Sequence, residues 1–281
     1  MAEFTAGDVG KPRELTGAGL MDCKKALTEA KGDISAAVDI LRKKGTVSAA
    51  KKASRETKEG AIVQYIQSGA KVGVLVEITC ETDFVARNET FRAFSDEIAR
   101  KLSGNATVES LDAERIAAVS KIGENIQIPR FCRYEVQGNG MIAAYIHTGA
   151  KMGVLVEVGA NKESTVAHED FKQLVRDITL QIAAGHPASI SREEVPAEIV
   201  AKEKEIAAEQ VKNKPPQAIA KIVEGKLDKF FQGCCLLEQG FVKRNSEVSL
   251  KEHIGGIAKQ LGDEIVIRRF VRFQVGDSPA A

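Results

Sequence analysis

Few residues in this 281-residue chain stand where side-chain chemistry would need them. The four histidines, His147, His168, His186 and His253, have no serine or cysteine partner in an elbow that would expose a nucleophile. No G-x-x-x-x-G-K-[ST], no G-x-G-x-x-G after a strand and no H-E-x-x-H occurs. Phosphate-cradling, dinucleotide and zinc-protease chemistries therefore lack their scaffolds. Gly69-Ala-Lys-Val-Gly73 has the glycines of a phosphate loop, but it lies inside a strand pattern and has an equivalent copy, which favours a hairpin role. The five cysteines, Cys23, Cys80, Cys132, Cys234 and Cys235, show neither C-x-x-C nor Cys/His metal spacing. Thiols scattered through apolar segments read as small buried filler in a reducing compartment. The residues point away from an enzyme, from a metal and from an organic cofactor.

One segment stands apart. Thr82-Asp-Phe-Val85 follows the strand pattern Val72–Thr79 and precedes a helix that starts near Asn88. An apolar side chain on a loop tip, beside a carboxylate, suits protein recognition. The same residues also have a local reading, with Phe84 as a hydrophobic staple and Asp83 as a helix cap. A second copy of the surrounding sequence separates the two partly, since it carries Lys162-Glu-Ser-Thr165 in the matching place. A core that needed Phe84 would need an apolar residue at Ser164 as well.

That second copy reveals the elements that must position the segment. Residues 60–78 and 140–158 match at an offset of 80, including Gly60/Gly140, Tyr65/Tyr145, Gly73/Gly153 and Glu77/Glu157. Each copy has the period of two expected for strands, broken once, and reads as a β-hairpin. A helical stripe follows each, formed by Phe91, Phe94, Ile98 and Leu102 in the first and by Phe171, Leu174, Ile178 and Ile182 in the second. The closing strand repeats at an offset of 139, with Gly123/Gly262, Arg130/Arg269 and Phe131/Phe270 in register. The 59-residue difference between the offsets is an insertion in the second copy. Within it, Pro196 to about Lys212 and Gln217 to about Phe231 read as two helices around the Asn213–Pro216 turn, with Ile219, Ile222, Val223, Leu227 and Phe230 as the stripe of the second.

Ahead of the duplication lies a helical module. Leu20, Met21, Cys23, Lys24 and Leu27 recur at helical spacing, and Leu20 and Met21 read either as bundle core or as contacts at a helix entry. Gly32-Asp33 separates this helix from the next, with Asp33 as N-cap and Gly45 as the expected end. Residues from Ser48 to Glu59 turn polar and lysine-rich and read as a linker or a frayed helix. The chain thus divides into a helical module at 1–54, a first core subdomain at 55–139 and a second at 140–281, with the inserted hairpin at about 190–245. The fold class is α+β, with antiparallel sheets in two duplicated subdomains.

The totals agree with a protein-binding role. Forty Lys+Arg oppose 39 Asp+Glu, aromatic residues make up 5% and tryptophan is absent, so a broad basic, base-stacking surface for nucleic acid is not expected. No basic n-region with an apolar h-region opens the chain, and no apolar run approaches the roughly 20 residues of a spanning helix, so a soluble cytoplasmic protein is expected.

The quoted motifs also carry a family resemblance. TGAGLMDCKKALTEAKGD from Thr16, TDFVARN after GVLVE, IGENI from Ile122 and KIVEGKLDKF from Lys221 closely resemble bacterial elongation factor Ts proteins, in the same order and over nearly the whole chain. The resemblance implies a guanine-nucleotide exchange factor for elongation factor Tu, with a UBA-like three-helix N-terminal module. It implies that Thr82, Asp83, Phe84 and Val85 wedge against the GTPase and dislodge its Mg²⁺, Phe84 as the apolar wedge and Asp83 as a polar contact. It implies further partner contacts at Leu20 and Met21, and at His147, which the residues alone read as a turn residue. It is compatible with a dimer of heterodimers and assigns no direct nucleic-acid or membrane contact. One departure is visible. Val9-Gly-Lys-Pro12 interrupts what is a regular first helix in the family, so that helix is expected to be short or kinked.

Overall fold

The computed structural model describes residues 5–277. Helix α1 spans Ala6–Thr16, and Thr5 and Asp8 form a reciprocal capping box at its start. It is short, at 11 residues, but runs unbroken through Gly10 and Pro12 to a left-handed cap at Gly17. Helix α2 (Leu20–Glu29) buries Cys23, Ala26 and Leu27. With Val9 of α1 and Ala37 and Leu41 of the next helix, these form the core of the module.

Helix α3 spans Ile34–Lys52, and the Asp33 carboxylate caps it by accepting the Ala36 N–H at 3.0 Å. It does not stop at Gly45, and the expected linker is helical as far as Lys52. The cause is packing. Gly45 is buried with Ser120 and Ile116 just beyond where a Cβ would stand, and Ala49 is buried in the first subdomain's core. Small residues on one face let α3 lie close against the helix at Asp112–Ile122, and that burial outweighs the low helix propensity of glycine.

Each subdomain is a three-stranded antiparallel sheet backed by helices. The first orders β1 (Glu59–Ile66), β2 (Val72–Cys80) and β3 (Ile126–Glu135), with the short α4 (Asp83–Ala86), α5 (Glu89–Leu102) and α6 (Asp112–Ile122) between β2 and β3. The second orders β4 (Gly140–Ile146), β5 (Met152–Ala160) and β6 (Ile265–Gln274), with α7 (Glu163–Ala167), α8 (Glu169–Gly185), α9 (Ala197–Glu209), α10 (Pro216–Cys234) and α11 (Leu250–Leu261) between β5 and β6. The expected hairpin turns hold left-handed residues, Gly69 and Ala70 in one and Gly149 and Ala150 in the other.

The central strands β2 and β5 are almost wholly buried, which explains why they read as continuous apolar runs and not as clean alternations. Val74, Val76 and Ile78 face the helices, while Leu75 faces the other sheet together with Ile62, Tyr134, Ile142, Leu155 and Phe273. The two sheets thus pack face to face between helical layers. The Ile62 N–H donates to the Ala150 carbonyl at 2.7 Å, and the Ile142 N–H to that of Ala70 at 2.8 Å. The approach is close enough to demand glycine. A Cβ on Gly73 would lie 2.6 Å from both Ile142 and Ile66, and one on Gly153 would lie 2.7 Å from Ile62.

The insertion carries its own apolar seam of Ala207, Val211 and Val223, flanked by Ile219, Ile222 and Leu227. Its inner end differs from the expected stripe. Phe231, not Phe230, is buried, and the Arg192 guanidinium lies 4.5 Å over the Phe231 ring while pairing with Asp228 and Glu238.

Candidate protein-binding site

The sequence between β2 and α5 folds locally as one tight helical turn. Thr82 has extended backbone and serves as N-cap, its hydroxyl accepting the Val85 N–H at 3.3 Å. Asp83 is therefore the first residue of α4 and not its cap. Its carboxylate pairs with Arg87 at 3.0 Å, one turn along. Ala86 is buried, and Val85 packs against the first subdomain's core. Both hold the turn down from below.

Phe84 points the other way and is 82% exposed. The staple reading fails on this observation, because a staple would be covered by the helix it pins. A single exposed aromatic on an anchored turn has no use in packing this chain. In the second copy, α7 presents the polar Ser164 instead, so the feature is an addition to a scaffold that stands without it.

Beside the turn, an open groove of about 1290 Å³ runs between the N-terminal module and the first subdomain. Arg13 and Leu15 of α1 border it on one side, Val85, Phe94 and Lys121 on the other. Leu15 is 68% exposed and extends the apolar rim toward the module, a residue that sequence periodicity did not single out. Leu20 and Met21 are exposed too, at 54% and 64%, so the core reading of these two fails. The fold gives the reason. They occupy the first turn of α2, and the buried face of that helix begins at Cys23.

His147 lies elsewhere, in the turn between β4 and β5, where its N–H donates to the Met152 carbonyl and its Nδ1 meets the Tyr145 hydroxyl at 2.9 Å. It lines a shallow recess with Arg92 and Asp96 of α5, whereas Glu89, Ala93 and Glu97 of that helix line the groove. The structure thus brings Thr82, Asp83, Phe84 and Val85 together in one turn, sets Leu20 and Met21 on the module's surface, and leaves His147 across α5 from the groove.

A cluster of polar groups beneath the turn was not foreseen. Glu124, in the loop between α6 and β3, accepts the Glu81 and Thr82 N–H groups, each at 3.0 Å, and the Thr82 hydroxyl at 2.6 Å. Glu81 answers by accepting the Asn125 N–H at 2.7 Å. One signal was available in the sequence, since Asp263 stands at the equivalent place of the second copy.

The nearest thiol is inert. Cys80 is buried at the end of β2, its Sγ 3.2 Å from the Thr82 carbonyl, and burial followed by the nearby Glu124 carboxylate pushes its pKa up to about 12. Among the described residues no group of histidine, cysteine, aspartate and glutamate could hold a metal ion, and no helix is long and apolar enough to cross a membrane. The arrangement can bind a protein surface, with an apolar tip, a flanking ion pair and an apolar groove edge.

Comparison with known proteins decides the lineage. A family model described as "Elongation factor TS" matches residues 81–277. The elongation factor Ts of Symbiobacterium thermophilum is 44% identical, over 99% of this chain and 93% of its own length. That of Clostridium botulinum is 43% identical, over 98% and 93%, and that of Aquifex aeolicus 41%, over 96% and 97%.

The chain belongs to the elongation factor Ts family.

Its two antiparallel sheets, N-terminal helices and inserted hairpin are this family member's version of an α+β fold.

Proposed function

We propose that this elongation factor Ts family member acts in the cytoplasm on elongation factor Tu, speeding the loss of GDP so that GTP can load. The observation that carries the proposal is Phe84, 82% exposed at the tip of a turn anchored from beneath by Val85, Ala86 and the Thr82 cap. In a P-loop GTPase the nucleotide is held by backbone donors, a lysine and a Mg²⁺ that bridges protein to phosphate. Mg²⁺ tolerates little departure from octahedral geometry, so a small shift of its ligands weakens the whole site. An apolar ring driven between the elements that carry those ligands would supply such a shift. Burial of the ring favours insertion by about 2 kcal/mol.

Thr82 fixes the start of the wedge, Asp83 presents its half-exposed, Arg87-paired carboxylate to the partner, and Val85 abuts the groove. Leu15, Leu20 and Met21 give the N-terminal module a second, apolar foothold, and His147 a third on the far side of α5. No bond is made or broken in such a process, so the chain is not an enzyme in the chemical sense. Factor and nucleotide each weaken the other's hold on the GTPase by the same factor, and the GDP/GTP equilibrium itself does not move.

That reciprocity is the test. Titration of the chain into elongation factor Tu with and without saturating GDP should give tighter binding to the nucleotide-free form. Equal affinity for both forms would mean a binding module without exchange activity.

A further inference from the structure

We propose that Glu124 is a positioning residue for exchange, holding the turn that carries Phe84 in the orientation for insertion. The proposal rests on the exchange reading above. Glu124 touches no partner group in that reading and acts through Thr82.

The geometry is specific. One oxygen of the Glu124 carboxylate accepts both the Glu81 and Thr82 N–H groups, and the other accepts the Thr82 hydroxyl. Donating to Glu124 leaves the Thr82 oxygen free to accept the Val85 N–H, so the carboxylate sets the polarity of the helix cap. The clasp is reciprocal, because the Glu81 carboxylate accepts the Asn125 N–H and is approached by Arg55. The end of β2 and the start of β3 are thus tied to each other through two carboxylates, and Phe84 follows two residues after the tie.

The second copy lacks this arrangement. There Asp263 accepts the Lys162 N–H at 2.9 Å and is approached by the side chain of Thr165 within α7, the capping position is a lysine with no hydroxyl, and α7 has no side-chain cap. The full clasp therefore accompanies the copy that bears the exposed aromatic. Charge-assisted hydrogen bonds to backbone N–H groups are strong enough to hold such a turn. A turn ordered before binding spares the ordering cost that insertion would otherwise meet.

The test is release of a fluorescent GDP analogue from elongation factor Tu at saturating chain, with wild type, Phe84→Ala, Glu124→Ala, Glu124→Gln and the Phe84→Ala/Glu124→Ala pair. Glu124→Ala should slow the saturating rate about tenfold in the wild-type background and change it little once Phe84 is gone. Glu124→Gln keeps the shape and part of the acceptor set, and should fall between. A Glu124→Ala rate equal to wild type, with Phe84→Ala slow, overturns the positioning role and leaves the exchange reading intact. Equal slowing of both backgrounds by Glu124→Ala also overturns it, since a general loss of structure acts in that way. A wild-type rate for Phe84→Ala overturns the wedge reading and this proposal with it.

Discussion

Glu77 and Arg130 form a pair 2.6 Å apart that is nearly closed to solvent, and the same guanidinium lies 4.4 Å over the ring of Phe273 from the other sheet. The second copy repeats the device. Glu157 pairs with Arg269 at 2.7 Å, and Arg269 lies 4.3 Å over Tyr134. Each arginine thus neutralises a buried carboxylate in its own sheet while covering an aromatic of the neighbour. Arg130→Ala would leave Glu77 buried with its charge unpaired, and should cost about 3–5 kcal/mol. Urea unfolding should read this loss, and replacement of Glu77 and Arg130 together by apolar residues should cost less than Arg130→Ala alone.

The close approach of the sheets gives a second expectation. Gly73→Ala places a methyl group 2.6 Å from Ile142 and Ile66, where packing is tight on both sides. Overpacking of this kind costs about 1–3 kcal/mol. Trimming the Cδ1 that stands in the way with Ile66→Val should recover part of the loss, seen as a partial return of the unfolding midpoint.

Acid sensitivity should localise in part to His253. Its ring stacks on Phe241 with centroids 4.2 Å apart, and burial lowers its pKa below the usual 6.5, an effect opposed by Asp177 and reinforced by Arg244 and Lys243. The unfolded chain therefore takes up a proton before the folded chain does, and stability contributed by the neutral ring is lost as pH falls below 6.5 toward the lower folded value. His253→Phe keeps the stack and removes the proton. The variant should show a shallower loss of stability on the acid side when unfolding is followed across pH.

The surface residues of α2 should separate binding from folding. Leu20 and Met21 are exposed, so Leu20→Ser with Met21→Ser should leave unfolding stability within about 0.5 kcal/mol of wild type. Affinity for elongation factor Tu should fall severalfold in an equilibrium titration.

Much of this architecture was legible because the chain is duplicated. Offsets of 80 and 139 residues locate both hairpins, both closing strands and the insertion without any knowledge of packing. What periodicity could not supply was the environment of each face. Gly45 looked like a helix end because its neighbour α6 lies in another part of the sequence, and that contact is what carries α3 on to Lys52. Leu20 and Met21 stayed open between core and contact because helical spacing does not say where a buried face begins.

At the site, the single-copy segment Thr82–Val85 was visible from the failure of Ser164 to match Phe84. The local reading, with Asp83 as cap, misses by one residue. Both Thr82 and Asp83 are good capping types, and their backbone conformations decide between them. Glu124 escaped notice because its partners lie more than forty positions away and meet it only when β2 and β3 pair.

The most direct measurement is the rate of fluorescent GDP release from elongation factor Tu at saturating concentrations of wild type and of Phe84→Ala. If the exposed ring is the wedge, its removal forfeits about 2 kcal/mol of insertion energy, and release should slow at least tenfold or so while the two proteins unfold at the same urea concentration. Equal saturating rates for the two proteins would contradict the account at its centre.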